Sequence, residues 1–132
     1  MYPPGYQPFI YGFRERIKSK ADIEDIRNWL GTLQNEDCNI AIDLSRDPDS
    51  LKRHWPDSIE WPKSLKVFNP SYVYLGLDKN RNPQVSLTWG GPFAHWGVVI
   101  GMEDMGIPPS DLSQYGEYRL PVEPGVYVWL SE

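Results

Sequence analysis

The feature that most constrains this chain is an alternation of apolar residues with polar or aromatic ones through its C-terminal half, from about Val67 onward. A period of two places successive side chains on opposite faces of a strand. The alternating segments are separated by stretches rich in Gly, Pro and Asn, which predicts an antiparallel β-sheet. The predicted strands are 72–77, 84–89, 93–100, 117–122 and 126–130, with a long loop over 101–116.

The same alternation assigns each strand residue to one of two faces. We call the first the core face; it carries Val73, Leu75, Leu77, Val85, Leu87, Trp89, Ala94, Trp96, Val98, Ile100, Val126, Val128 and Leu130. We call the second the aromatic face; it carries Tyr72, Tyr74, Gly76, Ser86, Thr88, Phe93, His95, Gly97, Val99, Tyr127 and Trp129. A bulge at Gly90-Gly91 would exchange His95 with Trp96 between the two faces.

The N-terminal half contains one strong helix signal, from about Lys20 to Leu33. Ile23, Ile26, Trp29, Leu30 and Leu33 recur at steps of three and four residues, and Ser19 is a suitable N-cap. This apolar stripe predicts a helix that covers the core face of the sheet.

The remaining N-terminal segments have weaker signals. Residues 1–8 contain three prolines and one glycine, which favours an extended, polyproline-like lead-in, and 9–13 suit a short strand or a segment over the core. Residues 38–45 alternate as a strand. Residues 46–66 are expected to form an irregular arm with short helical turns, because Trp55-Pro56 and Trp61-Pro62 interrupt any long helix.

Together these elements predict an α+β fold, with one main N-terminal helix packed on a curved antiparallel sheet of four to six strands. The chain of 132 residues fits a single domain over 1–132, with its sheet-rich half at 67–132. A cystatin-like roll is the first topology by analogy, and a small barrel is the second.

Charge and cysteine content restrict the possible partners and compartment. A net charge of -5 and a pI near 5.0 argue against nucleic-acid binding, which normally requires a basic surface. Cys38 is the only cysteine, so no intrachain disulfide can form and a reducing, cytoplasmic location is expected. No signal peptide is evident, and no apolar run approaches the ~20 residues that span a bilayer, so no membrane partner is expected.

Residues able to carry out chemistry are few. His54 and His95 are the only histidines, and no metal-ligand spacing, phosphate loop or nucleophile motif occurs, so we expect no metal and no cofactor. His95 is the one residue on the aromatic face that titrates near neutrality, which makes it the candidate general base of any reaction. Its pairing with Cys38 as nucleophile has no sequence signature.

The sequence therefore favours a non-enzymatic module that binds a small ligand or a protein through the aromatic face. The candidate binding residues are Tyr72, Tyr74, Thr88, Phe93, His95, Tyr127 and Trp129. Three alternatives stay open. The chain could be a small isomerase- or hydrolase-like enzyme with His95 as base, the face could form a homodimer interface, or residues 1–13 or 46–66 could cover it as a minor core.

Overall fold

The computed structural model describes residues 6–44, 59–90, 94–110 and 116–131, and its main element is an antiparallel sheet of six strands. The strands are β1 (Ile40–Asp43), β2 (Tyr72–Leu77), β3 (Pro83–Gly90), β4 (His95–Ile100), β5 (Glu117–Glu123) and β6 (Val126–Ser131). Their order is β1-β2-β3-β4-β6-β5, so the sheet is open, with β1 and β5 at its edges. The predicted α+β fold with a curved antiparallel sheet is confirmed.

Two helices cover the core face of the sheet, where the sequence predicts one. The helices of the described residues are α1 (Tyr6–Lys20), α2 (Ile23–Gly31) and the short α3 (Lys63–Lys66), and a 3₁₀ turn spans Asn35–Asp37. Helix α1 packs on β5 and β6, and α2 packs on β3 and β4. None of these helices combines the length and the apolar character that crossing a membrane requires.

Helix α1 stands where the sequence suggests an extended lead-in and a short strand. Ile10, Phe13 and Ile17 are buried at steps of three and four residues, which is helical spacing. The apparent alternation from Phe9 to Phe13 hides this period. Pro8 lies in the first turn of the helix, where an absent N–H costs no intrahelical hydrogen bond. Residues 1–5 of the proposed lead-in lie outside the described residues.

Helix α2 is shorter than the predicted helix over 20–33, and its N-cap differs. Asp22 caps it, because its Oδ1 accepts a hydrogen bond from the Asp25 backbone N–H at 3.0 Å. Ser19 instead lies in the last turn of α1, where its hydroxyl donates to the Arg16 carbonyl at 3.1 Å. The apolar stripe is as expected, since Ile26 and Leu30 are fully buried against the sheet.

The predicted core face is confirmed by burial. Nine of its side chains are at most 1% exposed: Val73, Leu75, Val85, Leu87, Val98, Ile100, Val126, Val128 and Leu130. Aromatic rings of α1 extend this core, since Phe9 meets Trp96 edge-on at 5.1 Å and Phe13 meets Trp89 edge-on at 5.5 Å. Trp89 pairs with Trp96 across β3 and β4, so Trp96 stays on the core face and His95 on the aromatic face. The exchange of these two residues by a bulge at Gly90-Gly91 does not occur.

The arm predicted over 46–66 is described only from Ile59 onward. There it contains α3, whose Leu65 is fully buried, and its Ile59 is 5% exposed. Trp61 meets Trp29 of α2 edge-on at 6.1 Å. The described end of the arm therefore packs on the helical side of the molecule.

Candidate functional site

The strand register gives the middle of the aromatic face the shape of a trough. In one cross-strand row Tyr72 lies beside Thr88, Thr88 beside Gly97, and Gly97 beside Trp129. The next row runs Tyr74, Ser86, Val99 and Tyr127. Ser86 and Thr88 of β3 therefore form the floor, with tyrosine rings of β2 as the wall on one side and the rings of β6 as the wall on the other. Since neighbouring strands lie about 4.8 Å apart, these walls originate about 14 Å apart.

The wall formed by β2 is open to solvent. Tyr72 is 38% exposed and Tyr74 is 37% exposed. The buried side chains of α1 and α2 belong to the core cluster on the opposite face, and no helix of the described residues lies over these tyrosines. The sequence leaves open that residues 1–13 cover the aromatic face. For residues 6–13, the part of that segment that the structure describes, this alternative is wrong.

Two glycines allow rings to lie low on this face. A Cβ at Gly97 would lie 2.7 Å from Cε2 and Cζ2 of Trp129, so the indole extends across β4. A Cβ at Gly76 would likewise lie 2.7 Å from Cζ and Oη of Tyr74, so that tyrosine leans along β2. The room above Gly97 is thus occupied by the Trp129 ring.

A cleft of about 480 Å³ opens at one end of the aromatic face. The loop of residues 105–109 forms one side of it, the β2–β3 turn forms another, and Gln84 and Tyr127 contribute from the sheet. Its volume lies within the range of small-molecule sites. The lining combines apolar groups and amides with two charged side chains, and includes Leu77, Asp78, Lys79, Asn80, Gln84, Met105, Ile107, Pro108 and Tyr127.

The loop that borders the cleft is held at both ends. At its start, Met105 is 7% exposed and its side chain packs against Gly101. At its end, the Arg119 guanidinium donates to the Pro109 carbonyl, and the Arg119 backbone N–H donates to the Ser110 hydroxyl at 2.8 Å. These contacts fix the loop over the sheet.

Part of the aromatic face and its border is buried. Val99 and Met105 are each 7% exposed, yet neither belongs to the main core cluster. Tyr127 lies in the same region, where burial raises the pKa of its hydroxyl, with a further rise from the Glu117 carboxylate and an opposing effect from Arg119. The aromatic face is therefore covered at Val99 of β4 and open at Tyr72 of β2.

His95 lies at the start of β4 and is exposed. Its cross-strand neighbours are Gly90 and Ser131, and neither is a carboxylate. Glu117 is the next residue of that cross-strand row and lies on β5, two strands or about 10 Å from His95 on β4. Its carboxylate accepts a hydrogen bond from Arg119 Nε at 3.0 Å. His95 does not line the cleft beside Tyr127.

Cys38 and His95 are not brought together. Cys38 is 5% exposed within the core cluster, and its thiol contacts the Gln34 carbonyl oxygen at 3.5 Å. Burial raises the pKa of this thiol, and the nearby carboxylates of Asp37 and Glu36 raise it further. It lies next to β1, three strands or about 14 Å from β4. A nucleophile–base pair between these residues is excluded by this arrangement.

The remaining chemistry-bearing residues are placed as follows. Glu103 forms an ion pair with Arg27, and Asp104 accepts a hydrogen bond from the Asn82 amide at 3.4 Å. Within the described ranges, no three His, Cys, Asp or Glu side chains form a group suited to a metal ion. Phe93 and His54 lie outside the described residues.

Comparison with protein-family models, with curated proteins and with solved structures found no match for this chain. The assignment of a function therefore depends on the geometry of the aromatic face.

The sequence pattern predicts that six of the candidate binding residues share one face of the sheet, and the structure places them there. These residues are Tyr72, Tyr74, Thr88, His95, Tyr127 and Trp129. Sequence reasoning missed Gln84, which belongs to this face by the same period-two rule because it lies two residues before Ser86. It also missed the cleft, because no local pattern predicts that residues 105–109 fold back over the sheet. One local hint was the Pro108-Pro109 pair, which favours an extended segment.

Proposed function

We propose that this protein is a non-enzymatic binding module that holds its ligand or partner on the aromatic face. The observation that carries this proposal is the exposure of Tyr72 and Tyr74 on a sheet face that both long helices leave uncovered. Exposed rings beside hydroxyl groups provide apolar contact area together with hydrogen-bonding capacity. The cleft at Gln84 and Tyr127 adds a concave end to this surface. The lone, buried cysteine supports action in a reducing compartment such as the cytoplasm.

The competing enzymatic hypothesis makes a different demand on His95. A general base requires a pocket that encloses it and a substrate or partner group within about 3 Å. His95 is exposed and lies away from the residues that line the cleft, and this favours binding over catalysis. Homodimerisation through the tyrosines remains a form of the same proposal, with a second copy as the partner.

The test is a screen by NMR of the ¹⁵N-labelled full chain against a set of neutral, ring-containing fragments. The expected result is that binders shift the amide signals of Ser86, Thr88 and Gly97 and the indole signal of Trp129. Tyr74→Ala should remove these shifts, because it deletes an exposed ring from the wall of the trough. Sedimentation at several concentrations then shows whether a second copy takes this surface.

Tyr11→Ala is the matched control, since Tyr11 is 43% exposed on α1 and lies on the helical side of the molecule. This variant should bind fragments as the parent chain does. Shifts confined to the helical side, or shifts on the aromatic face that persist in Tyr74→Ala, would contradict the proposal. His95→Ala should leave binding in place, whereas a requirement for His95 would favour the enzymatic hypothesis.

A further inference from the structure

We propose that the ligand of the aromatic face is a neutral oligosaccharide that lies along β3 and has one end in the cleft beside residues 105–109. This inference rests on the proposed function and adds the chemical class of the ligand. It is carried by the charge of the trough, the hydrogen-bonding groups of its floor, and the placement of its rings.

The trough is uncharged across the four central strands. On the aromatic face of β2, β3, β4 and β6, no position is occupied by Lys, Arg, Asp or Glu. The charged residues around this face lie on the edge strands, where Asp43 pairs with Tyr72 in the register and Arg119 pairs with Trp129, and in the cleft, which Asp78 and Lys79 help to line. A charged ligand lying along β3 would lose hydration over these central strands, where no side chain carries an opposite charge. The floor therefore matches an uncharged ligand.

The floor presents groups that both donate and accept hydrogen bonds. Gln84, Ser86 and Thr88 are successive aromatic-face residues of β3, and each is only partly buried. Their side chains make no hydrogen bond to any part of the chain that the structure describes. Amide and hydroxyl groups offer donors and acceptors together, as the hydroxyl groups of a sugar do. A proline-rich peptide, by contrast, offers few donors, because proline lacks the backbone N–H.

The rings are placed to contact the apolar C–H faces of sugar rings. Tyr74 and Trp129 border the floor from opposite sides, and both extend low over a glycine of the sheet. Contacts between C–H groups and aromatic rings are weak singly, but they add to the area that the ligand buries. A ligand lying along β3 would therefore meet a ring on each side.

The dimensions suit a chain-like ligand with a defined end. Gln84 and Thr88 are four residues apart on β3, which corresponds to about 14 Å. At the Gln84 end, the trough leads into the cleft of about 480 Å³ that Tyr127 also lines. A ligand that lies along β3 would therefore end in this cleft, beside the loop of residues 105–109.

The experiment is a titration of the ¹⁵N-labelled full chain with maltohexaose, cellohexaose, xylohexaose, mannohexaose and the hexamer of N-acetylglucosamine. At least one should bind and shift the signals of Gln84, Ser86, Thr88 and the Trp129 indole. Gln84→Ala and Tyr74→Ala should each weaken that binding by about tenfold. Tyr11→Ala should leave it unchanged, and thermal unfolding of each variant verifies that it is folded.

Decaproline and a heparin hexasaccharide serve as comparators of different chemistry. The inference is overturned if none of the five neutral oligosaccharides binds, or if decaproline or heparin takes the trough in their place. If either result occurs but neutral fragments still shift the signals of Ser86, Thr88 and Trp129, the proposed function is unaffected. Failure of the fragments as well would overturn both.

Discussion

Trp129 of β6 lies across Gly97 of β4, with its Cε2 and Cζ2 atoms 2.7 Å from the position that a Cβ at residue 97 would take. The same Cβ would lie 2.5 Å from the Leu87 carbonyl oxygen of β3. Both separations are shorter than carbon atoms tolerate, and the oxygen belongs to backbone that cannot move aside freely. The position of the indole on the aromatic face thus depends on the absence of a side chain at residue 97.

Gly97→Ala should therefore destabilise the fold and displace Trp129. We expect the free energy of unfolding to fall by about 1–3 kcal/mol, as when a well-packed site receives an extra carbon. Urea unfolding followed by tryptophan fluorescence measures this change. Gly12→Ala is the control with the opposite sign, since nothing lies within 4 Å of a Cβ there, and it should stabilise α1 by about 0.5–1 kcal/mol. Equal stability of Gly97→Ala and the parent chain would show that the indole and the Leu87 backbone both move aside without cost.

Arg27 of α2 holds the helix to the ends of three strands. Its Nε donates to the Gly101 carbonyl at 2.9 Å, and its Nη2 donates to the Pro124 carbonyl. Nη1 lies 3.7 Å from Glu103 and 3.6 Å from Glu123, and the side chain is 14% exposed. We expect Arg27→Lys to cost about 1–3 kcal/mol, because an ammonium group keeps the charge but cannot reach both carbonyls.

The matched control for Arg27 is Arg16→Lys on the exposed side of α1, which should change stability by less than about 0.5 kcal/mol. Glu103→Gln should also have a small effect, since this carboxylate is 82% exposed. Chemical unfolding of the three variants measures the loss of free energy of unfolding in each. A larger loss in Glu103→Gln than in Arg27→Lys would mean that the ion pair, and not the carbonyl contacts, stabilises this junction.

Tyr127 should make stability depend on pH in the alkaline range. Burial raises the pKa of its hydroxyl above the ordinary value of 10.0. As the pH rises past 10, the unfolded chain releases this proton while the folded chain retains it, so the free energy of unfolding falls. The decline ends once the pH exceeds the folded pKa, and near neutrality the group has no such effect. Urea unfolding at pH 8 and at pH 10.5 measures the change, and Tyr127→Phe should show a smaller alkaline loss than the parent chain.

Cys38 should be inert in the folded protein. It is 5% exposed and burial raises the pKa of its thiol, so little thiolate forms near neutral pH. We expect labelling by a disulfide reagent at pH 7.5 to be slower than that of the urea-unfolded chain by at least about tenfold. Cys38→Ser provides the background rate. Labelling of the folded chain as fast as of the unfolded chain would mean that the start of β1 opens readily.

The strands and their faces were predictable because burial imposes a simple rule on them. In β2, β3, β4 and β6 alternate residues are buried in the core, so Val, Leu and Ile recur at every second position. The helical side was predicted less well. In α1, exposed Phe9 and Tyr11 stand beside buried Ile10 and Phe13, so the hydrophobic pattern appears continuous and the period of 3.6 is obscured.

The parts of the site that escaped prediction depend on long-range contacts. Residues 105–109 fold over the sheet because Met105 packs on Gly101 and Arg119 binds the Pro109 carbonyl. Arg119 follows that proline by ten residues, and no local preference joins the two. The cleft beside Gln84 results from these contacts, so sequence reasoning could place Gln84 on a strand but could not anticipate the loop beside it.

Within the described ranges the helices cover one side of the sheet, and this has a consequence for engineering. Along β3, Val85 and Leu87 hold the core while Gln84, Ser86 and Thr88 face away from it. These three positions, together with 72 and 74, can therefore be randomised in a display library with little loss of folding. Selection from such a library would retarget the trough to new ligands on a scaffold whose stability is set by the other half of each strand.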